Sequence, residues 1–121
     1  MSAPLHRDLA AGRWWQLSLA EQLGHVGSEV GRAVRWAPRN AELARGAVDR
    51  ALDLLDLTLA DPRLRASRAR LREIARAREV VVDCLAGSNE YGSTGASLQK
   101  YFDAYAMAAR RASSSSEPTR P

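Results

Sequence analysis

The chain has 121 residues, a formal net charge of +4 and a pI near 10.0, with 45% hydrophobic and only 6% aromatic residues. That length suits one domain and excludes two ordinary ones, and the scarcity of aromatics requires a core built mainly from Leu, Val and Ala. Cys84 is the single cysteine, which excludes an internal disulfide or a thiolate metal cluster and points to a reducing, cytoplasmic setting.

Nothing in MSAPLHRDLAAGR has the apolar core of a secretory leader, and no run approaches the roughly 18 apolar residues of a membrane span. A soluble intracellular protein without membrane contact is expected. Residues 1–12 are read as at most one extra turn.

Four helices follow in chain order. The first is predicted over about 14–36, where Leu19, Leu23, Val26, Val30 and Val34 recur at helical spacing. Pro38 and Asn40 end it and open a turn. The second covers about 41–60, with Val48, Leu52, Leu55 and Leu59 on one face. Asp61-Pro62 is a cap followed by a proline suited to a first helical position, and a third helix is predicted over 62–87, stopped by Gly87. The segment Ser88 to Gly95, SNEYGSTG, is turn chemistry, with Tyr91 expected to anchor it against the end of the fold. A fourth helix is predicted over 96–111, capped by Ser97, with Leu98, Tyr101, Phe102, Tyr105 and Met107 too widely spread for one narrow stripe. The tail from Ser113, residues 113–121, is low in complexity and expected to be disordered. Val80-Val81-Val82 favours strand, but the helical pattern around it should prevail. The fold class is therefore all-α, and the short connections predict an antiparallel up-down four-helix bundle over residues 1–112.

The third helix carries the strongest chemical signal. Seven arginines lie in it: Arg63, Arg65, Arg68, Arg70, Arg72, Arg76 and Arg78. On one continuous helix, Arg65, Arg68, Arg72 and Arg76 would share a face and make a stripe about 16 Å long at 1.5 Å per residue. Guanidinium forks at that pitch suit a row of phosphates, with Arg63, Arg70, Arg110 and Arg111 extending the basic surface. The competing reading is a solvated face paired locally by Glu73 and Glu79. Seventeen arginines against one lysine is explained by a GC-rich genome, which does not explain their clustering. Arg78 falls on the apolar seam Leu64, Leu71, Ile74, Val81, Leu85 and is expected to be buried against a carboxylate, with Asp49, Asp53, Asp56, Glu21 or Glu29 as candidates.

Gly24, Gly27 and Gly31 share a face of the first helix. Each costs about 1 kcal/mol of helix propensity, so the face must return that through a close helix approach, either within the fold or against another subunit. With the broad apolar surface of the fourth helix, it predicts a homo-oligomer.

Catalytic signals are weak. His6 and His25 are the only histidines. Glu21, His25 and Glu29 share a helix face but not the spacing of a di-metal bundle, so no metal and no cofactor are expected. His25 is read as a polar residue within the bundle. Phosphate loops, nucleophile elbows and zinc-finger spacings are missing, and the chain is read as no enzyme. Trp14-Trp15 is expected to cap the core. Cys84 is expected to be a buried, inert thiol.

Together the stretches SLAEQLGHVGSEVGRA at 18–33, ALDLLDLTLAD at 51–61 and NEYGST at 89–94 look like small prokaryotic helical proteins. In size, helix number and basic charge the chain resembles the four-helix-bundle proteins of 23S rRNA intervening sequences and the accessory variability determinant of diversity-generating retroelements. The resemblance is architectural, covers about residues 14–111 and carries over no residue. It implies a ring-forming basic bundle that binds RNA or DNA beside a reverse transcriptase. The function expected is thus a non-catalytic nucleic-acid-binding accessory protein, possessing a polymerase-type protein partner. The rival is an adaptor that docks a protein through an apolar or glycine-lined face.

Overall fold

The computed structural model describes residues 11–115; what is expected of 1–10 and 116–121, including most of the tail, lies outside the described residues. Every element among the described residues is helical, with no strand. The helices are α1 (Leu19–Trp36), α2 (Ala41–Leu59), the single turn α3 (Pro62–Arg65), α4 (Arg68–Leu85) and α5 (Gly95–Ser115). Residues 11–14 are also helical.

Capping sets the boundaries and corrects three of those expected. The first helix begins at Leu19 rather than near Trp14, because Ser18 and Glu21 form a capping box: the Glu21 amide donates to Ser18 Oγ and the Ser18 amide to Glu21 Oε1. The expected helix over 62–87 is two pieces. Asp61 caps α3 as predicted, but the chain turns out of the helix at Ala66, and Ser67 accepts from the Arg70 amide to start α4 afresh. The fourth helix opens at Gly95 rather than behind a Ser97 cap. Thr94 Oγ1 accepts from the Ser97 amide, and Ser97 Oγ accepts from the Thr94 amide. It then runs to Ser115, so residues 113–115 are helical rather than a disordered start of the tail. Asn40 caps α2, and Val80 to Val82 are helical.

Helix α1 lies at the centre of the packing, against α2 on one side and α5 on the other, while α4 packs on α2 and touches α5 more sparsely. Gly24, Gly27, Gly31 and Gly95 fix the α1–α5 register, standing opposite Ala106, Phe102, Gln99 and Val34 respectively, so those helices run antiparallel. The core joins Leu23, Val26 and Val30 of α1 to Ala51 and Leu55 of α2, Leu64 of α3, Ile74 and Val81 of α4, and Leu98 and Phe102 of α5. Alanines Ala44, Ala47 and Ala51 complete the buried face of α2, consistent with an aromatic-poor core. Met107, expected among the apolar residues of the fourth helix, is 45% exposed. No described helix is long and apolar enough to cross a membrane.

Candidate nucleic-acid interface

The break at Ala66 and Ser67 changes the geometry of the arginine stripe. Arg65 belongs to α3 and is not on a continuous face with the others. Arg68, Arg72 and Arg76 remain on the outer face of α4, four residues apart and all exposed, over about 12 Å. The first turn of α4 holds no acidic residue. Arginines therefore crowd the positive end of a helix dipole, where a carboxylate is normally favoured and each cation costs about 0.3–1 kcal/mol. Arg65, Arg68 and Arg72 make no ion pair among the described residues. Arg76 stacks over the Tyr91 ring, 4.8 Å from its centroid. Past it on the same face comes Glu79, so the basic band is confined to the first half of the helix.

Two arginines expected to extend the band have other occupations. Arg63 grips Asp61 from Nε (3.1 Å) and Nη2 (2.7 Å), and donates to the Leu17 carbonyl at 2.6 Å. Arg70 donates to Glu73 at 3.1 Å and to the Tyr105 hydroxyl at 3.3 Å. Arg110 and Arg111 are exposed on α5 beyond Ala106, at the end of the molecule where α1 begins. Arg13 lies at that end too, next to Trp14.

Below the basic end is a buried polar cluster. Gln22 and Thr58 are fully buried and Asp61 nearly so. Gln22 Nε2 donates to Asp61 Oδ2 at 3.0 Å and to the Trp14 carbonyl at 3.1 Å, while its Oε1 has no partner among the described residues. Trp14 Nε1 donates to Thr58 Oγ1 and Trp15 Nε1 to the Leu57 carbonyl. The tryptophan pair thus straps residues 11–18 over the end of α2. The Arg63 hydrogen bond holds the Asp61 carboxyl below the usual carboxylate range against the opposing effect of burial.

Arg78 forks onto Asp56, Nε to Oδ1 at 2.6 Å and Nη2 to Oδ2 at 3.2 Å. Its side chain is one third exposed, not buried as expected, because α4 meets α2 near the edge of the seam. Besides Asp61, the buried carboxylate is Glu29, bound by Arg32 at 2.6 Å and Arg50 at 2.7 Å. Burial would raise the Glu29 carboxyl, yet these two guanidinium contacts outweigh it and hold it low. The glycine face meets α5 of the same chain: a Cβ on Gly27 would lie 2.7 Å from Phe102 Cβ, and one on Gly24 3.2 Å from Ala106 Cα. That face is therefore covered and is not open to a second subunit.

Further expectations are corrected nearby. Tyr91 is 52% exposed and does not anchor its loop; Asp83 does, accepting the Glu90 and Tyr91 amides at 2.7 and 3.0 Å. His25 is at the surface beside Trp14 rather than within the bundle. Cys84 is half-buried, not fully, with its thiol raised by burial and by Asp83. No group of three or more His, Cys, Asp or Glu side chains among the described residues can hold a metal ion.

Two features were not anticipated from the sequence. One is a hollow at the opposite end of the molecule, lined by Arg32, Arg35, Trp36, Pro38 and Arg39, with Trp36 40% exposed. Its signal was a single tryptophan set among three arginines in RAVRWAPRN. The other is the meeting of Glu73 with two tyrosines: Glu73 Oε2 accepts from Tyr105 at 2.6 Å and from Tyr101 at 2.9 Å. No protein-family model, curated protein or solved structure matches this chain.

Proposed function

We propose that this is a non-catalytic, cytoplasmic protein that binds the backbone of RNA or DNA through Arg65, Arg68 and Arg72, with Arg76, Arg110 and Arg111 at its margins. The observation that carries this reading is the group of exposed arginines without ion pairs, Arg65, Arg68 and Arg72, around the start of α4, whose first turn lacks an acidic residue and whose dipole disfavours Arg68 there. A polyanion removes that penalty, and phosphates accept from guanidinium forks and from helix N-terminal amides alike. On the same reading the four long helices form an antiparallel up-down bundle that serves as a rigid mount. Service to a reverse transcriptase is the extension that the architectural resemblance suggests, and a pull-down with such an enzyme encoded nearby tests it.

The rival adaptor, together with self-association, draws its support from Trp36, Leu43 and Met107, each 40% exposed or more. One experiment separates the two. Labelled RNA, single-stranded DNA and duplex DNA are titrated at low and moderate salt with the wild type and with Arg65/Arg68/Arg72→Ala. Binding that weakens by tenfold or more in the folded triple variant supports the nucleic-acid reading. No wild-type affinity, or equal affinity in the variant, overturns it. Light scattering on the same samples reports whether the chain associates.

A further inference from the structure

Helices α4 and α5 make the sparsest contact of the neighbouring long helices. They are held apart by a polar clasp at one end, Glu73 with Tyr101, Tyr105 and Arg70, and by the loop over 88–94 at the other. Between these lies a cleft of about 280 Å³. Its walls are Ala77 and Val80 of α4 and Leu98 and Phe102 of α5. Phe102 is fully buried, and Tyr101 meets it edge-on at 5.1 Å. Burial is also the main cause that pushes the Tyr101 hydroxyl well above its ordinary range, as expected of a dry wall.

Charge is distributed unevenly around this apolar space. Glu73 lines it, but both of its oxygens are occupied by the tyrosine hydroxyls and Arg70. Arg76 also lines it, at its solvent-exposed rim, stacked over the Tyr91 ring and without a carboxylate partner among the described residues. The Ser93 hydroxyl lines it too and has no partner among them. An apolar slot with one guanidinium free of carboxylates at its rim and one free hydroxyl complements an anion attached to an apolar body. The volume falls just below the range of about 300–1,000 Å³ common for small-molecule sites, so the ligand is small.

We propose that the α4–α5 cleft binds a small monocarboxylate with a short alkyl or single-ring body, its carboxylate on Arg76 and its apolar part between Val80, Leu98 and Phe102. The site shares only the marginal Arg76 with the nucleic-acid reading, which rests on Arg65, Arg68 and Arg72 outside the cleft, so the two fail separately. Calorimetric titration with hexanoate, benzoate, acetate and hexanol tests it. Hexanoate and benzoate should saturate one site and bind at least tenfold tighter than acetate or hexanol. Arg76→Gln should erase the preference for acid over alcohol, and Ala77→Leu, which fills the slot, should abolish both. Amide NMR shifts in the wild type, expected at Ala77, Val80, Leu98 and Phe102, decide the matter should the filled variant fail to fold. Absence of saturable hexanoate or benzoate binding, an unchanged acid preference in Arg76→Gln, full binding by Ala77→Leu, or shifts scattered outside the cleft would each overturn the proposal.

Discussion

Asp61 concentrates several kinds of chemistry in one side chain. It caps α3 by accepting the Arg63 amide at 2.9 Å, accepts from the buried Gln22 amide, and forks with the Arg63 guanidinium. Removing it would leave a helix end uncapped and a fully buried Gln22 short of a partner. Asp61→Ala should therefore cost about 2–3 kcal/mol, read from urea unfolding. The pH dependence has a defined sign. The folded carboxyl lies below its ordinary value, so at acid pH the unfolded chain binds the proton more readily than the folded one. The stabilisation is fully present above the ordinary carboxylate value near 4 and is lost as pH falls through the lower folded value. Glu29, held low by Arg50 and Arg32 despite burial, acts in the same direction. Urea midpoints measured from pH 7 down to about 2.5 should drop steeply below pH 4, and Asp61→Asn should make that drop shallower. An equally steep drop in the variant would assign acid sensitivity to other carboxylates.

Among the elements, the α1–α5 contact is set by Gly24, Gly27, Gly31 and Gly95, whose environments differ. A methyl group at Gly27 meets Phe102 Cβ at 2.7 Å, an atom fixed to the α5 backbone, so only a shift of the helix itself relieves the contact. At Gly31 it meets only the end of the Gln99 side chain, at 2.8 Å, which can swing aside. Gly46, inside α2, would bring it no closer than 3.4 Å to the flexible end of Arg50. Thermal unfolding should thus show Gly27→Ala destabilised by about 1–3 kcal/mol, Gly31→Ala near neutral, and Gly46→Ala stabilised by about 0.5–1 kcal/mol. The spacing of Gly24, Gly27 and Gly31 made a close approach legible in the sequence. Which helix makes it was not, because α5 pairs with α1 only through tertiary register. Signals were more legible the nearer in sequence they lay to the residue concerned. Asp61-Pro62 announced a cap, and Ser18-x-x-Glu21 carried a capping box that the apolar Trp14, Trp15 and Leu17 before it obscured. Ser67, the sign of a new helix, was hidden by arginine spacing that reads as continuous across 62–87. The arginine face was visible as composition, and the local partners Asp61 for Arg63 and Glu73 for Arg70 lie close in sequence, but Tyr105 is brought to Arg70 only by the packing of α5.

For the whole molecule, basic charge is concentrated at two ends of unequal character. One end presents Arg65, Arg68 and Arg72 around a helix N-terminus; the other presents Arg35 and Arg39 beside the exposed Trp36. Helix α1, with 18 residues, separates them by about 27 Å at 1.5 Å per residue. The two should contribute differently to nucleic-acid binding. Arginines on phosphates release counterions, so the logarithm of affinity falls with the logarithm of salt by roughly 0.7 per contact on single strands and 0.9 on duplex. Losing three such contacts in Arg65/Arg68/Arg72→Ala should reduce that slope by about 2–3. An indole that stacks on a base contributes about 1–3 kcal/mol without displacing ions. Trp36→Ala should therefore weaken single-strand binding by roughly five- to a hundredfold while leaving the slope unchanged and duplex binding nearly so. Fluorescence anisotropy across a salt series, with both variants and both kinds of strand, separates the two contributions. A slope that falls in Trp36→Ala, or stays put in the triple arginine variant, would reverse the assignment of the two ends.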